Sequence, residues 1–196
     1  MKDAAGAVGA VLAGGRSRRM GTPKALVDLA GRPLIAHVLA AVEAASLEPV
    51  VVAKPDSPLP SLSCRVLRDS AEPIHPLQGL LTALAASGGR PVVALACDMP
   101  LVPPRLLKWL AGLGGEAAVV AATGRLQPLL ARYEPTVAPA LVAALARGAT
   151  AREAVFELDP RIVTETELGR FGDPELICLN VNTPADLDRA TAVLAG

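Results

Sequence analysis

The apolar positions of this chain fall into short continuous runs that alternate with segments of helical periodicity. The runs are rich in Val, Ala and Leu and are bounded by Gly, Pro or polar residues. Such runs are typical of strands that helices cover on both faces of a sheet. They predict strands at residues 7–12, 50–53, 65–67, 92–96 and 117–122.

Between these runs, apolar residues recur at i, i+3, i+4 and i+7, the spacing of one face of a helix. The stripes that predict helices contain Leu34, Ile35, Val38, Leu39 and Val42; Leu77, Leu80, Leu81 and Leu84; and Leu106, Leu107 and Leu110. Strand and helix alternate over the first ~120 residues, which predicts a mostly parallel sheet between two helical layers. We therefore expect a single three-layer α/β/α, Rossmann-like domain over residues 1–196.

The last third of the chain has a weaker pattern. Residues 125–133 predict a strand in which Pro128 requires an edge position or a bulge. Residues 139–146 predict a helix that closes near Gly148, and residues 177–181 predict a last strand.

Composition and charge narrow the classes of function. Apolar residues make up 52% of the chain, which excludes a disordered protein. Aromatic residues make up 2%, too few for a base-stacking platform, and the 19 Lys and Arg balance the 19 Asp and Glu. A chain without net positive charge is a poor ligand for nucleic acid or an anionic membrane, so we predict neither partner.

The chain carries no convincing export signal. The apolar segment 4–13 is mostly Ala and Gly, and the pair Arg18–Arg19 is followed by polar residues. No apolar stretch reaches the ~18 residues of a membrane span. Cys64, Cys97 and Cys178 are scattered in or beside apolar runs, as expected of small buried side chains in a reducing compartment. These features predict a cytoplasmic protein.

The first predicted strand ends in a glycine pair and a basic loop. Gly14 and Gly15 let backbone N–H groups approach an anion without an obstructing Cβ. The cations that follow are Arg16, Arg18, Arg19 and Lys24. A triphosphate needs both features, although a glycine turn before a solvated basic loop gives the same pattern. The segment has neither the Gly-Lys-Ser/Thr of a Walker A loop nor the spacing G-x-G-x-x-G.

Single carboxylates follow two other predicted strands. Asp98 comes just after the run 92–96 and before Pro100, where it could hold Mg²⁺ together with substrate phosphates or form a turn. Asp69 follows the run 65–67, where it could contact a ribose, a base edge or a metal, or form an Asx turn.

A polar motif closes the chain's pattern. Asn180 and Asn182, two residues apart on a predicted strand, should point the same way, towards a metal or a pterin, or cap the next helix. Thr183 has the features of that helix's N-cap, with Pro184 at its first position and Asp186 at its third.

Several of these segments together resemble the molybdenum cofactor guanylyltransferase family of nucleotidyltransferases. The loop matches L-A-G-G-x-S-x-R-M-G-x-x-K, and the likeness extends from Val8 to Leu187. The positions that match in the loop are Leu12, Ala13, Gly14, Gly15, Arg19 and Lys24. The segments C-D-M-P at Asp98, P-L-Q-G at the start of the second predicted helix, and N-V-N-T-P at Asn180 and Asn182 are also similar. R-L-Q-P-L, which contains Gln127, is less specific.

The resemblance implies a reaction and a set of roles. Molybdopterin or molybdenum-molybdopterin phosphate would attack the α-phosphorus of GTP, and pyrophosphate would leave. Lys24 and Arg19 would act on the phosphates, and Asp98 would bind Mg²⁺. The nucleotide would contact Leu12, Ala13, Gly14, Gly15, Lys24, Asp69 and Asp98, and the cofactor side would contact Asn180, Asn182 and Gln127. Transient contact with molybdenum cofactor delivery proteins is also implied.

Three positions depart from the family pattern. Pro23 stands where the family has Asp, Ala53 where it has Asn, and His75 where it has Gly. Gly14 stands where cytidylyl relatives carry alanine, which predicts a preference for GTP over CTP. Two alternatives remain open at this point: molybdopterin cytidylyl or sugar-1-phosphate transfer, and a nucleotide-binding module without catalysis.

Overall fold

The computed structural model describes residues 6–14, 22–70, 72 and 74–196. Within these residues, seven strands form one sheet and a short hairpin lies apart from it. The sheet strands are β1 (Val8–Leu12), β4 (Glu48–Ala53), β5 (Arg65–Arg68), β6 (Val92–Ala96), β7 (Ala118–Ala122), β8 (Leu126–Tyr133) and β9 (Arg161–Val163). The hairpin joins β2 (Asp28–Leu29) to β3 (Arg32–Pro33). All five strands predicted in the first 122 residues are confirmed.

The sheet has the order β5-β4-β1-β6-β8-β7-β9. Strands β5, β4, β1 and β6 are parallel, β8 is antiparallel to both of its neighbours, and β7 is parallel to β9. The prediction of a mostly parallel sheet is therefore confirmed. Leu12 at the end of β1 lies level with Val52 and Ala96, so three strand ends meet at one edge.

Helices cover both faces of the sheet. Their bounds are α1 (Leu34–Ala44), α2 (Pro76–Ala86), α3 (Pro104–Gly112), α4 (Ala138–Ala146), α5 (Ala151–Phe156), α6 (Glu165–Leu168), α7 (Pro174–Ile177) and α8 (Pro184–Ala195). Alternate strand residues point to opposite faces. Val11 and Val93 pack with α1 and α3, whereas Ala10 and Ala94 pack with α2 and α4. The three-layer prediction is confirmed, and every helix among the described residues is too short or too polar to cross a bilayer.

The predicted strand at residues 177–181 is wrong. Its first residue ends α7, and residues 178–182 are irregular. Asp173 caps this helix through a bond from the backbone N–H of Glu175 (2.9 Å), and Pro174 stands at the first helical position. The four apolar residues 176–179 fit a helix end as well as a strand, so the capping signal at Asp173 decides between them.

Pro128 lies at a bulge and not at an edge, since β8 runs between β6 and β7. The pairing of β7 with β8 shifts register between Val120 and Ala121, and this shift leaves Pro128 outside the regular ladder. The helix predicted at residues 139–146 begins one residue earlier, and Gly148 follows it with a φ of +74°. The predicted N-cap Thr183, with Pro184 and Asp186, is also confirmed.

Candidate active site

A cavity of about 220 Å³ opens at the carboxyl edge of the parallel strands. We call it the β1 cavity. Its walls are Leu12, Gly14, Lys24, Val52, Ala53, Lys54, Asp69, Ile74, His75, Pro76, Gly79, Ala96, Cys97, Asp98 and Leu129. Ligands collect at this edge in open parallel sheets, because the strand ends and helix starts converge there.

Most residues that the sequence assigns to the nucleotide lie together in this cavity. Leu12, Gly14, Lys24, Asp69 and Asp98 all line it. Ala13 is different: it packs in the core on the α1 side of the sheet. Gly15 and Arg19, with Arg16 and Arg18, lie outside the described residues.

Lys24 reaches the cavity from a single 3₁₀ turn, Lys24–Leu26. The neighbouring Ala25 is buried in the core, which anchors this turn beneath the cavity. The ammonium group of Lys24 donates short hydrogen bonds to Oδ2 of Asp98 and to Oδ1 of Asn182. One cation therefore joins the end of β6 to the segment before α8.

Backbone hydrogen bonds to two other segments hold Asp98 in place just after β6. The N–H of Cys97 donates to the carbonyl of Leu12 (3.1 Å), and the N–H of Val181 donates to the carbonyl of Asp98 (2.9 Å). The Asp98 side chain is 12% exposed, and its Oδ1 is buried without a hydrogen-bond partner among the described residues. A buried carboxylate oxygen in this condition is costly unless a ligand satisfies it.

This orphaned oxygen fits a hard cation such as Mg²⁺. The described residues contain no group of three or more His, Cys, Asp and Glu side chains that could hold a metal unaided. Magnesium is commonly bound by one or two carboxylates together with water and substrate phosphates. A single carboxylate at a phosphate-binding edge is consistent with that mode of binding.

A second ion pair lies in the same cavity, and the sequence did not reveal it. The ammonium group of Lys54 donates to Oδ2 of Asp69 (2.9 Å) and to the carbonyl of Ser70 (2.6 Å). Oδ1 of Asp69 accepts from the hydroxyl of Thr82 (2.9 Å) and the N–H of Ser70 (2.8 Å). A signal was present, because Lys54 is one of four lysines and directly follows a buried strand.

A second and larger cavity, of about 610 Å³, adjoins Asn182. We call it the α8 cavity. Gln127, Asn180 and Asn182, the predicted cofactor-side residues, all line it together with Arg125 and Glu165. The two asparagines line this cavity together although their segment is not a strand, so the alternation argument that grouped them had a wrong premise.

The helix cap of α8 holds Asn182 in place. Oδ2 of Asp186 accepts from the backbone N–H groups of Asn182 (3.0 Å) and Thr183 (2.9 Å). The hydroxyl of Thr183 in turn accepts from the N–H of Asp186 (3.2 Å). The amide of Asn182 donates to the carbonyl of Asn180 (3.2 Å), leaving its oxygen directed to Lys24. The capping interpretation and the site interpretation of this motif are thus both compatible with one geometry.

Comparison with known proteins identifies the family. The sequence model of the MobA-like NTP transferase domain matches residues 9–162. The chain belongs to that family.

Relatives match along nearly the whole chain. The molybdenum cofactor guanylyltransferase of Cereibacter sphaeroides is 39% identical over 196 residues, covering 95% of this chain and 96% of that protein. The molybdenum cofactor guanylyltransferase of Pseudomonas putida is 37% identical over 177 residues, covering 84% and 92%. The crystal structure of molybdopterin-guanine dinucleotide biosynthesis protein A from Archaeoglobus fulgidus has a TM-score of 0.80 at 28% identity, covering 95% and 98%.

Two of the departures from the family pattern have a local structural explanation. His75 is the N-cap of α2, since its Nδ1 accepts from the backbone N–H of Leu77 (3.2 Å) and so takes over a capping role. Pro23 precedes the 3₁₀ turn of Lys24 with a φ of −53°, which lies in the range that a proline ring allows. Ala53 is buried in the core on the α1 side.

The cysteines of this MobA-like domain are unsuited to nucleophilic chemistry. Burial, with a smaller contribution from the adjacent Asp98, raises the pKa of Cys97 to about 12 against the opposing effect of Lys24. Burial also raises the pKa of Cys178. Both side chains are buried as the sequence predicts, whereas Cys64 is half-buried. The thiolate is the reactive form of cysteine, and the raised pKa keeps Cys97 in its thiol form. Cys97 therefore serves as an apolar part of the wall of the β1 cavity.

Proposed function

We propose that this chain transfers GMP from GTP to the phosphate of molybdopterin or molybdenum-molybdopterin, and releases pyrophosphate. The observation that carries the proposal is the bridging position of Lys24. Its ammonium group contacts Asp98 in the β1 cavity and Asn182 in the α8 cavity. The α-phosphate must meet the acceptor phosphate at one point, and this contact lies where the two cavities adjoin.

The names of the relatives support the same reaction. The proteins from C. sphaeroides and P. putida are called molybdenum cofactor guanylyltransferases, and their similarity extends over 95% and 84% of this chain. The structural relative from A. fulgidus is named for molybdopterin-guanine dinucleotide biosynthesis. The chemistry of the residues and the names of the relatives thus favour the same substrates.

The chemical step needs little covalent participation by the protein. An oxygen of the acceptor phosphate forms a bond to the α-phosphorus of GTP, and the bond to the bridging oxygen breaks to release pyrophosphate. Positioning and charge neutralisation supply most of the rate in such reactions. Lys24 places its positive charge in contact with Asp98, and it would move its ammonium group onto the phosphates as they arrive.

Asp98 would hold Mg²⁺ through the oxygen that lacks a partner among the described residues. The bound ion would neutralise charge on the triphosphate and orient it. Asn182 remains as the acceptor next to Lys24 and keeps the ammonium group at the junction of the two cavities. Arg19 and Gly15 complete this proposal as further phosphate contacts.

The α8 cavity would hold the pterin. Asn180, Asn182 and Gln127 offer amide groups that both donate and accept, which matches the mixed hydrogen-bonding edge of a pterin. Arg125 adds a cation to the same wall, suited to an acceptor that carries a phosphate. We also propose a cytoplasmic location, transient contact with molybdenum cofactor delivery proteins, and no nucleic-acid or membrane partner.

Pyrophosphate release tests this proposal. Purified protein is given GTP, molybdopterin and Mg²⁺, and the guanylylated product is identified by mass. Release that requires all three components supports the assignment. Faster turnover with CTP, or with a sugar 1-phosphate as acceptor, would replace it with another transferase, and nucleotide binding without any turnover would indicate a binding module.

A further inference from the structure

The side chain of Lys54 passes directly over Gly14 at the mouth of β1. A Cβ placed on Gly14 would lie 3.3 Å from Cγ of Lys54, 3.7 Å from its backbone nitrogen and 3.9 Å from Cε. Among the described residues, apart from the chain neighbours of Gly14, no other heavy atom is nearer to that position. The absence of a side chain at residue 14 therefore makes room for the stem of Lys54.

The ammonium group at the end of the Lys54 side chain is also held in place. Its ammonium group donates to Oδ2 of Asp69 (2.9 Å) and to the carbonyl of Ser70 (2.6 Å), and the side chain is 13% exposed. A stem fixed at both ends has little room to yield when a neighbouring atom is added.

Asp69 extends this arrangement to the helical layer. Its carboxylate is 4% exposed and accepts from Lys54, Ser70 and the hydroxyl of Thr82 on α2. Its backbone N–H donates to the carbonyl of Ala53 (2.9 Å). These hydrogen bonds connect the ends of β4 and β5 to α2. The aliphatic part of the Lys54 side chain lies between them and Gly14, just after β1.

The position of this set along the sheet indicates which part of a nucleotide it faces. Asp98 follows β6 and Lys54 follows β4, with β1 between them. Two strand spacings separate these elements by about 10 Å. If phosphates lie at Asp98 and Lys24, the ribose and base extend towards Lys54 and Asp69.

We infer that Lys54 is a positioning residue for the nucleoside end of the β1 cavity, and that Gly14 acts on nucleotide binding through Lys54. This inference rests on the proposed function. In this view a glycine is needed at residue 14 to leave space for Lys54 and not for the base. A methyl group there displaces the side chain of Lys54 and weakens its ion pair with Asp69, without contacting the base. The nucleoside loses its fixed wall, while the phosphate end keeps Lys24 and Asp98.

A double-mutant cycle between residues 14 and 54 tests the inference. In the natural background, Gly14→Ala should raise Kd and KM for GTP roughly 10-fold and leave kcat within about 3-fold, because a charge-assisted contact is loosened away from the reacting atoms. Lys54→Ala should give a similar rise. In the Lys54→Ala background, Gly14→Ala should change Kd by less than about 2-fold, since Cγ and Cε are gone.

Gly79→Ala is the matched control. Its added methyl also enters the β1 cavity wall but meets Leu12 at 3.0 Å and not Lys54. Its effect on Kd should be the same with or without Lys54→Ala. A Gly14→Ala effect that persists unchanged in the Lys54→Ala background, or that is absent in both, overturns the inference.

The melting temperature of the unliganded variants provides a readout that does not depend on the reaction. Lys54→Ala should lower it by itself, because Asp69 loses its ion-pair partner, and Gly14→Ala should lower it by less in the Lys54→Ala background than in the natural background. A smaller Gly14→Ala loss in the Lys54→Ala background supports the clash with Lys54, whereas an equal loss in both backgrounds contradicts it. If GTP is not a substrate, the proposed function fails while this coupling can still be measured.

Discussion

Oδ1 of Asn182 accepts a hydrogen bond from the ammonium group of Lys24, which lies 158 residues earlier in the chain. This contact joins the two cavities and places the side chain of Asn182 at their junction. The backbone N–H of Asn182 donates to Oδ2 of Asp186, which fixes the backbone at the same residue. Asn182 therefore belongs both to the N-terminal cap of α8 and to the contact with Lys24.

Asn182→Ala should slow transfer more than it weakens nucleotide binding. Without the amide oxygen, Lys24 retains Asp98 but loses its contact on the acceptor side. We expect kcat to fall roughly 10–100-fold, the range of one lost bond to a charged group, with Kd for GTP within about 3-fold. Steady-state rates and GTP titration measure the two effects. Equal losses in both would place Asn182 in the nucleotide site.

Asp98→Asn should abolish turnover and leave the protein folded. The substitution removes the charge that fits a cation while preserving the shape of the side chain. A lost metal ligand should cost at least ~10²-fold in kcat. Rates are measured at rising Mg²⁺, with Asp56→Asn as an exposed control and circular dichroism to monitor folding. Near-normal rates at saturating Mg²⁺ would remove Asp98 from the metal site.

The cap of α8 should make stability depend on acid pH. Burial acts to raise the pKa of Asp186, but hydrogen bonds from the backbone of Asn182 and from Thr183 outweigh it and hold that pKa below its usual value. A group with a depressed folded pKa stabilises the fold above its unfolded pKa. That stabilisation is lost as the pH falls from about 4 through the folded pKa.

Urea denaturation at a series of pH values measures this dependence. Asp186→Asn should flatten the fall in unfolding free energy below pH ~4, while Thr183→Ala should cost about 1 kcal/mol at neutral pH, as is typical of a lost N-cap. An unchanged acid limb in Asp186→Asn would mean that another carboxyl group governs it.

The sequence predicted the parallel half of the fold because burial on both faces leaves continuous apolar runs. The run at Val92–Ala96 has no other ready interpretation. The strand prediction at residues 177–181 was wrong because the four apolar residues 176–179 suit the end of a helix as well as a strand. The helix forms there because Asp173 caps it by accepting a hydrogen bond from the backbone N–H of Glu175, two residues later.

Residues of the candidate site could be predicted where a single charged side chain follows a strand or a glycine loop. Asp98 and Lys24 stand at recognisable strand and loop ends, and both line the β1 cavity. Lys54 was missed because its role depends on Asp69, on Ser70 and on the space over Gly14, which only the packing of three strands brings together.

Lys24→Ala should weaken the binding of GTP and leave the binding of guanosine almost unchanged. The side chain of Lys24 is 18% exposed, and a partly buried charge-assisted contact to phosphate is commonly worth ~1.5–3 kcal/mol. Guanosine lacks phosphates, so it loses nothing when this charge is removed. Lys108→Ala, on the exposed side of α3, removes the same charge elsewhere and should change neither affinity. Calorimetric titration of both ligands separates these effects. If guanosine and GTP weaken by the same factor, Lys24 supports the shape of the cavity and does not contact the phosphates.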